Sequence, residues 1–222
     1  MKRVTLFAGH YGSGKTNLAV NYALRLAEMG KKTMIADLDI VNPYFRTRDS
    51  EKALADAGVR IVVSPFANSN VDVPALPQEM YAVTDDKSYF AVVDVGGDDR
   101  GALALGRLAP ALMKEDDYEM LFVMNFYRPL TTNAESAVAV MREVENASHM
   151  KFTGIINNSN LGQQTTGEDI IRTHARAMEV SRLTGLELAA TCVREDLIGE
   201  VSPKIENLIP IRLHFRDEWA IF

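Results

Sequence analysis

Short apolar, β-branched runs alternate along this chain with longer segments of helical period. The runs are Val4–Ala8, Thr33–Ala36, Arg60–Ser64, Tyr89–Val95, Glu119–Asn125, Phe152–Asn157 and Leu186–Thr191. Between most of them stand segments such as Asn17–Met29, Thr132–Asn146 and Gly167–Thr184. In the first, Leu18, Ala19, Tyr22, Ala23, Leu26 and Ala27 fall on one face of a helix. Thr132 with Glu135, and Thr165 with Glu168, have the spacing of capping boxes opening the later two. Strands that are apolar almost throughout cannot turn a face to water, so helices must cover both sides of the sheet. The pattern predicts an α/β fold, a doubly wound, mainly parallel sheet of about seven or eight strands with helices on both faces. Sites in such sheets form at the carboxyl ends of the strands, where every polar cluster described below sits.

Two stretches are less regular. Asn68–Lys87, with Pro74, Pro77 and Asp85-Asp86, reads as a long surface loop containing a short helix. The chain end holds Ile209–Leu213, which reads as an edge strand, and then Trp219 and Phe222, a packed tail or a partner-binding one.

Composition narrows the setting. A length of 222 residues with 47% hydrophobic content suits one domain over 1–222, large enough to bury a core without staples. Cys192 is the single cysteine, which excludes an intrachain disulfide, a four-cysteine zinc site and a Cys-x-x-Cys pair. It reads as a small buried apolar residue in a reducing, cytoplasmic protein. The net charge is −6 and no basic run occurs, which argues against a nucleic-acid partner. No apolar run approaches the roughly 20 residues of a membrane span. Val4–Ala8, following Lys2-Arg3, is too short for a signal sequence.

The first run leads into Gly9-His10-Tyr11-Gly12-Ser13-Gly14-Lys15-Thr16, a full match to the phosphate-binding P-loop pattern. Small residues let successive backbone N–H groups curl around phosphates, and the following helix adds its positive N-terminal end. Gly12, Ser13, Gly14, Lys15 and Thr16 are the nucleotide-binding candidates. Lys15 reaches the β and γ phosphates, and the Thr16 hydroxyl suits Mg2+.

Two more strands end in aspartate. The second is followed by Asp37-Leu38-Asp39 and then Asn42-Pro43. The fourth ends Asp94-Val95-Gly96-Gly97, continued by Asp98, Asp99 and Arg100 as a loop. A carboxylate after four apolar residues is the usual second magnesium anchor beside a P-loop, so Asp94 joins Thr16 as a metal candidate. Gly97 would let a backbone amide approach the γ phosphate. The sixth run ends Asn157-Asn158-Ser159-Asn160. Asn157 can bind the amine and N7 of a purine, or these asparagines only shape a turn. Asn160 stands where a guanine-binding loop needs a carboxylate, and half its head is a donor, so adenine is preferred over guanine.

Together these motifs resemble the MinD/ParA/CobQ group of P-loop NTPases, in the SIMIBI branch that includes nitrogenase iron protein. The resemblance runs from Val4 to about Glu195, through the P-loop, Asp37-Leu38-Asp39 with Asn42-Pro43, Asp94-x-Gly96-Gly97 and Asn157. It implies that Asp39 orients the attacking water and stands near the metal with Asp94. It further implies Mg2+ and ATP as ligands, ATP-sandwich homodimers and action as a switch. The group's signature lysine, in Lys-Gly-Gly-x-Gly-Lys-Thr, is missing: His10 and Tyr11 stand there, and an imidazole is a weak substitute for a permanent cation.

The leading expectation is a slow ATPase that switches a protein partner, contacted through Asn42–Asp49 with Tyr44, Phe45, Arg46 and Arg48. The alternative is an ATP-dependent metabolic enzyme, a dethiobiotin-synthetase-like ligase or small-molecule kinase, with Arg46, Arg48 and Arg128 as anion binders. A GTP-dependent metal-insertion factor is weakened by the one cysteine and by four scattered histidines, none assigned to metal.

Overall fold

Val4–Ala8 (β1) is buried along its whole length. That is where an apolar strand settles when parallel neighbours flank it and helices cover both faces. The computed structural model describes residues 1–38, 48–63 and 76–214. The other strands are β2 (Thr33–Asp37), β3 (Arg60–Val63), β4 (Phe90–Asp94), β5 (Tyr118–Met124), β6 (Gly154–Asn157), β7 (Leu188–Arg194) and β8 (Leu208–Ile211). They form one eight-stranded sheet in the order β3-β2-β4-β1-β5-β6-β7-β8. Every pairing among the described residues is parallel. The fold is the α/β P-loop NTPase type that the hydrophobic pattern and the Gly-rich loop anticipate.

The helices are α1 (Lys15–Glu28), α2 (Arg48–Asp56), the single turn α3 (Ala82–Asp85), α4 (Asp99–Glu115), α5 (Ala134–Ser148), α6 (Gly167–Thr184) and the single turn α7 (Ile198–Val201). Alternate strand residues serve opposite faces. Leu6, Val93 and Phe122 pack in one core with Leu105 and Leu108 of α4 and Met141 of α5. Phe7, Val92 and Val123 pack in another with Leu18, Ala19 and Leu26 of α1 and Leu54 of α2. Phe7 meets Tyr22 edge to face at 5.5 Å, which ties α1 to the strand that carries the loop.

Several boundaries differ from the sequence reading. The strand expected over Leu186–Thr191 runs on to Arg194, because Thr191–Arg194 pair with Leu208–Ile211. That edge strand is present as expected, and Pro210 is tolerated in it because an edge position can go without a ladder donor. Both capping boxes lie one residue later than expected. Asn133 with Ser136 opens α5, and Thr166 with Asp169 opens α6. Thr165 is committed elsewhere: its hydroxyl donates to the Gly162 carbonyl and accepts from Leu161 N–H, each at 2.8 Å. Before α5, the 3₁₀ turn Pro129–Thr131 carries the chain past Thr132, and asparagine is the better cap. Asp99 and Arg100 are helical, not loop, since Asp98 caps α4 by accepting from Gly101 N–H at 3.0 Å.

Cys192 is buried, as expected, and burial pushes its thiol pKa up, so it stays protonated. Among the described residues no helix is long and apolar enough to cross a membrane.

Candidate functional site

The chain leaves β1 at Gly9 and enters α1 at Lys15. Gly14 makes this turn at φ +83°, and a Cβ there would lie 2.4 Å from Asn158 Nδ2. Any other residue would be both strained and obstructed. Within the loop, Ser13 N–H donates to the His10 carbonyl at 3.2 Å and Lys15 Nζ to the same oxygen at 3.1 Å. The ammonium thus folds back on its own loop, and Lys15 is only 7% exposed. A phosphate oxygen would compete for that proton donor. Ser13 Oγ is buried and makes no hydrogen bond among the described residues. A curled backbone, a buried hydroxyl and an ammonium fit a polyphosphate.

Below the loop, Thr16 Oγ1 donates to Asp94 Oδ2 at 2.5 Å. Asp94 is the last residue of β4 and pairs in register with Asp37, the last of β2, and both are buried. Leu38 N–H donates to the Asp94 carbonyl at 2.8 Å, which locks the two strand ends together. A hydroxyl and a carboxylate in contact beside this loop form a hard oxygen donor set suited to Mg2+.

In front, the loop that follows β4 rests on the P-loop. A Cβ on Gly97 would lie 2.5 Å from Tyr11 N and 2.7 Å from Tyr11 Cα. Backbone cannot yield at that distance, so glycine is required for the approach.

The loop after β6 flanks the other side. Asn157 is 1% exposed, and its amide is used inside the protein. Its Oδ1 accepts from the Ser159 hydroxyl at 2.7 Å and from Ser159 N–H at 3.2 Å, and its Nδ2 donates to Thr173 Oγ1 at 3.4 Å. Asn158 Nδ2 donates to the Ser13 carbonyl at 2.8 Å, so this loop is strapped to the P-loop. Asn160 closes its own turn, donating to the Asn158 carbonyl at 2.7 Å and accepting from Gly162 N–H at 3.1 Å.

The loop after β5 completes the surroundings. Arg128 Nε donates to the Gly12 carbonyl at 2.8 Å. Tyr127, beside it, donates its hydroxyl to Asp169 Oδ1 at 2.9 Å, and Arg172 donates to both groups at 2.8 Å and 2.6 Å. Hydrogen bonds from Thr166, with help from Tyr127 and Arg172, hold the Asp169 carboxyl down at about 2. An unfolded aspartate titrates near 3.9, so the ionised carboxylate stabilises the fold fully above about pH 4. That contribution fades as the pH falls toward about 2. Asp169→Asn is expected to cost about 1–2 kcal/mol at neutral pH by urea unfolding. The gap from the parent should narrow between pH 4 and the acid limit of the fold; a constant gap would show that charge is not what braces the loop.

The fold therefore brings Gly12, Ser13, Gly14, Lys15, Thr16, Asp94 and Gly97 into one site. Asn157 lies at the root of the adjoining loop. Asp39 and Asn42–Arg46 lie outside the described residues. The role of Asn158 and the facing of Asp37 on Asp94 are not legible in the sequence, where Arg128 is only one of several candidate anion binders. The signal for all three is a strand-end position, which acquires meaning once the strand order is known.

Neither protein-family models nor curated proteins match this sequence. Solved structures of the same fold do. Cell division protein FtsY from Thermotoga maritima matches with a TM-score of 0.62 at 17% identity, over 86% of this chain and 62% of that one. FtsY from Mycoplasma mycoides matches with a TM-score of 0.55 at 18% identity, over 88% of this chain and 61% of that one. The 54 kDa signal recognition particle protein from Aeropyrum pernix, solved with GDP, matches with a TM-score of 0.53 at 15% identity, over 85% and 40% respectively. This chain thus spans less than two thirds of each. At these identities the likeness is one of fold.

Proposed function

We propose that this protein binds Mg-ATP in the loop Gly9–Thr16, hydrolyses it slowly, and acts as a nucleotide-dependent switch on a protein partner in the cytoplasm. On this reading it is an atypical relative of the MinD/ParA/CobQ group. The observation that carries the proposal is Gly97 seated on the Tyr11 backbone, three residues beyond the Thr16–Asp94 contact. A terminal phosphate held by Lys15 would meet the loop that starts at Asp94 and feeds directly into α4. Gain or loss of that phosphate would then order or release a segment that reaches the surface. Leu103 and Met113 are exposed on α4, which suits a partner-facing helix.

The roles follow from the donor chemistry. Lys15 turns from the His10 carbonyl to the phosphates. Thr16 and Asp94 would hold Mg2+, and the resemblance assigns to Asp39 the orienting of the attacking water. The Gly97 amide approaches the γ phosphate. Asn157 fixes the loop that faces the purine. Magnesium, when bound, neutralises charge on the phosphate oxygens.

Guanine is the competing base, because relatives in fold have been solved with GDP. The Asn160 amide argues for adenine. Its one oxygen already accepts from Gly162 N–H, whereas guanine needs a group that accepts twice.

Gel filtration of Asp39→Ala in cell extract, with and without Mg-ATP, tests the switch. The expected result is a larger species, homodimer or partner complex, that forms with Mg-ATP and not with Mg-GTP. An unchanged elution volume, with ATP turnover that accelerates only on adding a small-molecule acceptor, would replace the switch by a metabolic kinase or ligase.

A further inference from the structure

Strand β5 lies beside β1, so the segment leaving β5 emerges next to the P-loop. That segment is Asn125-Phe126-Tyr127-Arg128-Pro129. It is braced at nearly every residue. Asn125 Nδ2 donates to the Asn160 carbonyl at 3.2 Å, and Asn125 Oδ1 accepts from Tyr127 N–H at 3.0 Å. Phe126 is buried, and its N–H donates to Ser159 Oγ at 3.0 Å. The Thr131 hydroxyl donates to the Asn125 carbonyl at 2.6 Å, and the Tyr127–Asp169–Arg172 cluster clamps the loop from α6. Arg128 precedes a proline and is extended, at φ −103° and ψ 142°, as the proline ring requires of the residue before it.

This rigid loop presents an exposed arginine. A Cβ built on Gly12 would lie 3.1 Å from Arg128 Nε and 3.4 Å from Cζ, so the guanidinium lies against the middle of the P-loop. Nε is bonded to the Gly12 carbonyl, while among the described residues Nη1 and Nη2 make no hydrogen bond. Among the described residues, the cations Lys15 and Arg128 both hydrogen-bond to this loop. The signature-lysine position, by contrast, is occupied by a half-buried histidine.

We infer that Arg128 is a phosphate-contacting residue supplied by the chain itself, whose guanidinium binds the polyphosphate of the nucleotide seated on Gly9–Thr16. The inference rests on the P-loop reading above. A guanidinium offers planar, fixed donors that match phosphate oxygens, and its charge is permanent. The braces through Ser159, Asn160 and Asp169 set its position before the nucleotide arrives, so little ordering is needed on binding.

The test is calorimetric titration of the full chain with Mg2+ and a non-hydrolysable ATP analogue, at low and high salt. Parent, Arg128→Ala, Arg128→Lys and Lys15→Ala are compared. Arg128→Ala is expected to bind on the order of ten- to a hundredfold more weakly, with a shallower salt dependence, because one phosphate-facing charge is gone. Arg128→Lys should keep the salt dependence and recover part of the affinity. If Arg128→Ala binds like the parent while Lys15→Ala does not bind, the arginine has no such role. Weaker binding with an unchanged salt dependence would likewise overturn it, leaving Arg128 as a prop for Gly12. Unchanged binding by Lys15→Ala would instead remove the P-loop reading itself.

Discussion

Lys15→Ala is expected to lower affinity for Mg-ATP at least a hundredfold, below detection by calorimetry at micromolar protein. Lys15 is 7% exposed, and its ammonium donates to the His10 carbonyl at 3.1 Å. In this place it is poorly screened by solvent, and a phosphate oxygen is a far stronger acceptor than a carbonyl. Each hydrogen bond to a charged group contributes about 1.5–3 kcal/mol, and removing one partner of a desolvated charge pair costs about 3–5 kcal/mol. At about 1.4 kcal/mol per tenfold, the loss reaches two orders of magnitude or more. The fold itself should survive, since β1 and α1 are anchored by Phe7, Leu18 and Leu26. An unchanged circular dichroism spectrum with no binding heat is therefore the expected pair of results. A binding isotherm matching the parent's would remove the central claim.

Asp94→Asn is expected to cut ATP hydrolysis by about a hundred- to a thousandfold while nucleotide binding in the absence of metal changes little. Asparagine keeps the volume and one oxygen at the end of β4. It loses the charge and places an amide N–H₂ near the Thr16 hydroxyl that now donates to Asp94 Oδ2. A metal that prefers charged oxygen ligands then has a weaker site. The measurement is a magnesium titration of the ATPase rate. The midpoint should move to higher Mg2+, and saturating metal should restore only part of the rate. A midpoint at the parent's concentration would place the metal elsewhere, with Asp37 the first alternative. Asp37 faces Asp94 in register from the neighbouring strand.

Arg128 affects both outcomes. If a second permanent cation stands over the loop, Lys15→Ala removes only part of the positive field, and any residual binding should disappear in the double variant. Arg128 would then add a permanent cation to a loop whose own side-chain cation is Lys15.

Much of the site could be read from local order because its chemistry is contiguous. The P-loop is one uninterrupted segment in which spacing dictates geometry, and Gly14 turns at φ +83° where the pattern requires a glycine. Asp94 is legible as the end of β4 because it closes a run of four apolar, strand-forming residues in a sheet that carries a P-loop. The capping boxes were displaced by one residue because Thr132 and Thr165 are as good in sequence as their neighbours. What excludes Thr165 is its hydroxyl's hydrogen bonds to the preceding turn, Leu161 and Gly162. Asn157 had two readings that its own sequence could not separate. The structure places its amide among Ser159 and Thr173, bracing the loop that carries Asn158 and Asn160.

By itself, then, the sequence determined the things that depend on period and spacing. These are a parallel sheet covered on both faces, a Gly-rich loop of P-loop pattern between its first strand and first helix, and carboxylates at the ends of two further strands. Only the tertiary structure decided which strand ends are neighbours. The order β4-β1-β5 sets Asp94 under the loop on one side and Arg128 over it on the other, although 78 and 112 residues separate them from Thr16. No local rule carries that information. Strand order is a global outcome of packing two cores at once, and the close approach of Gly97 to Tyr11 exists only after that packing is complete.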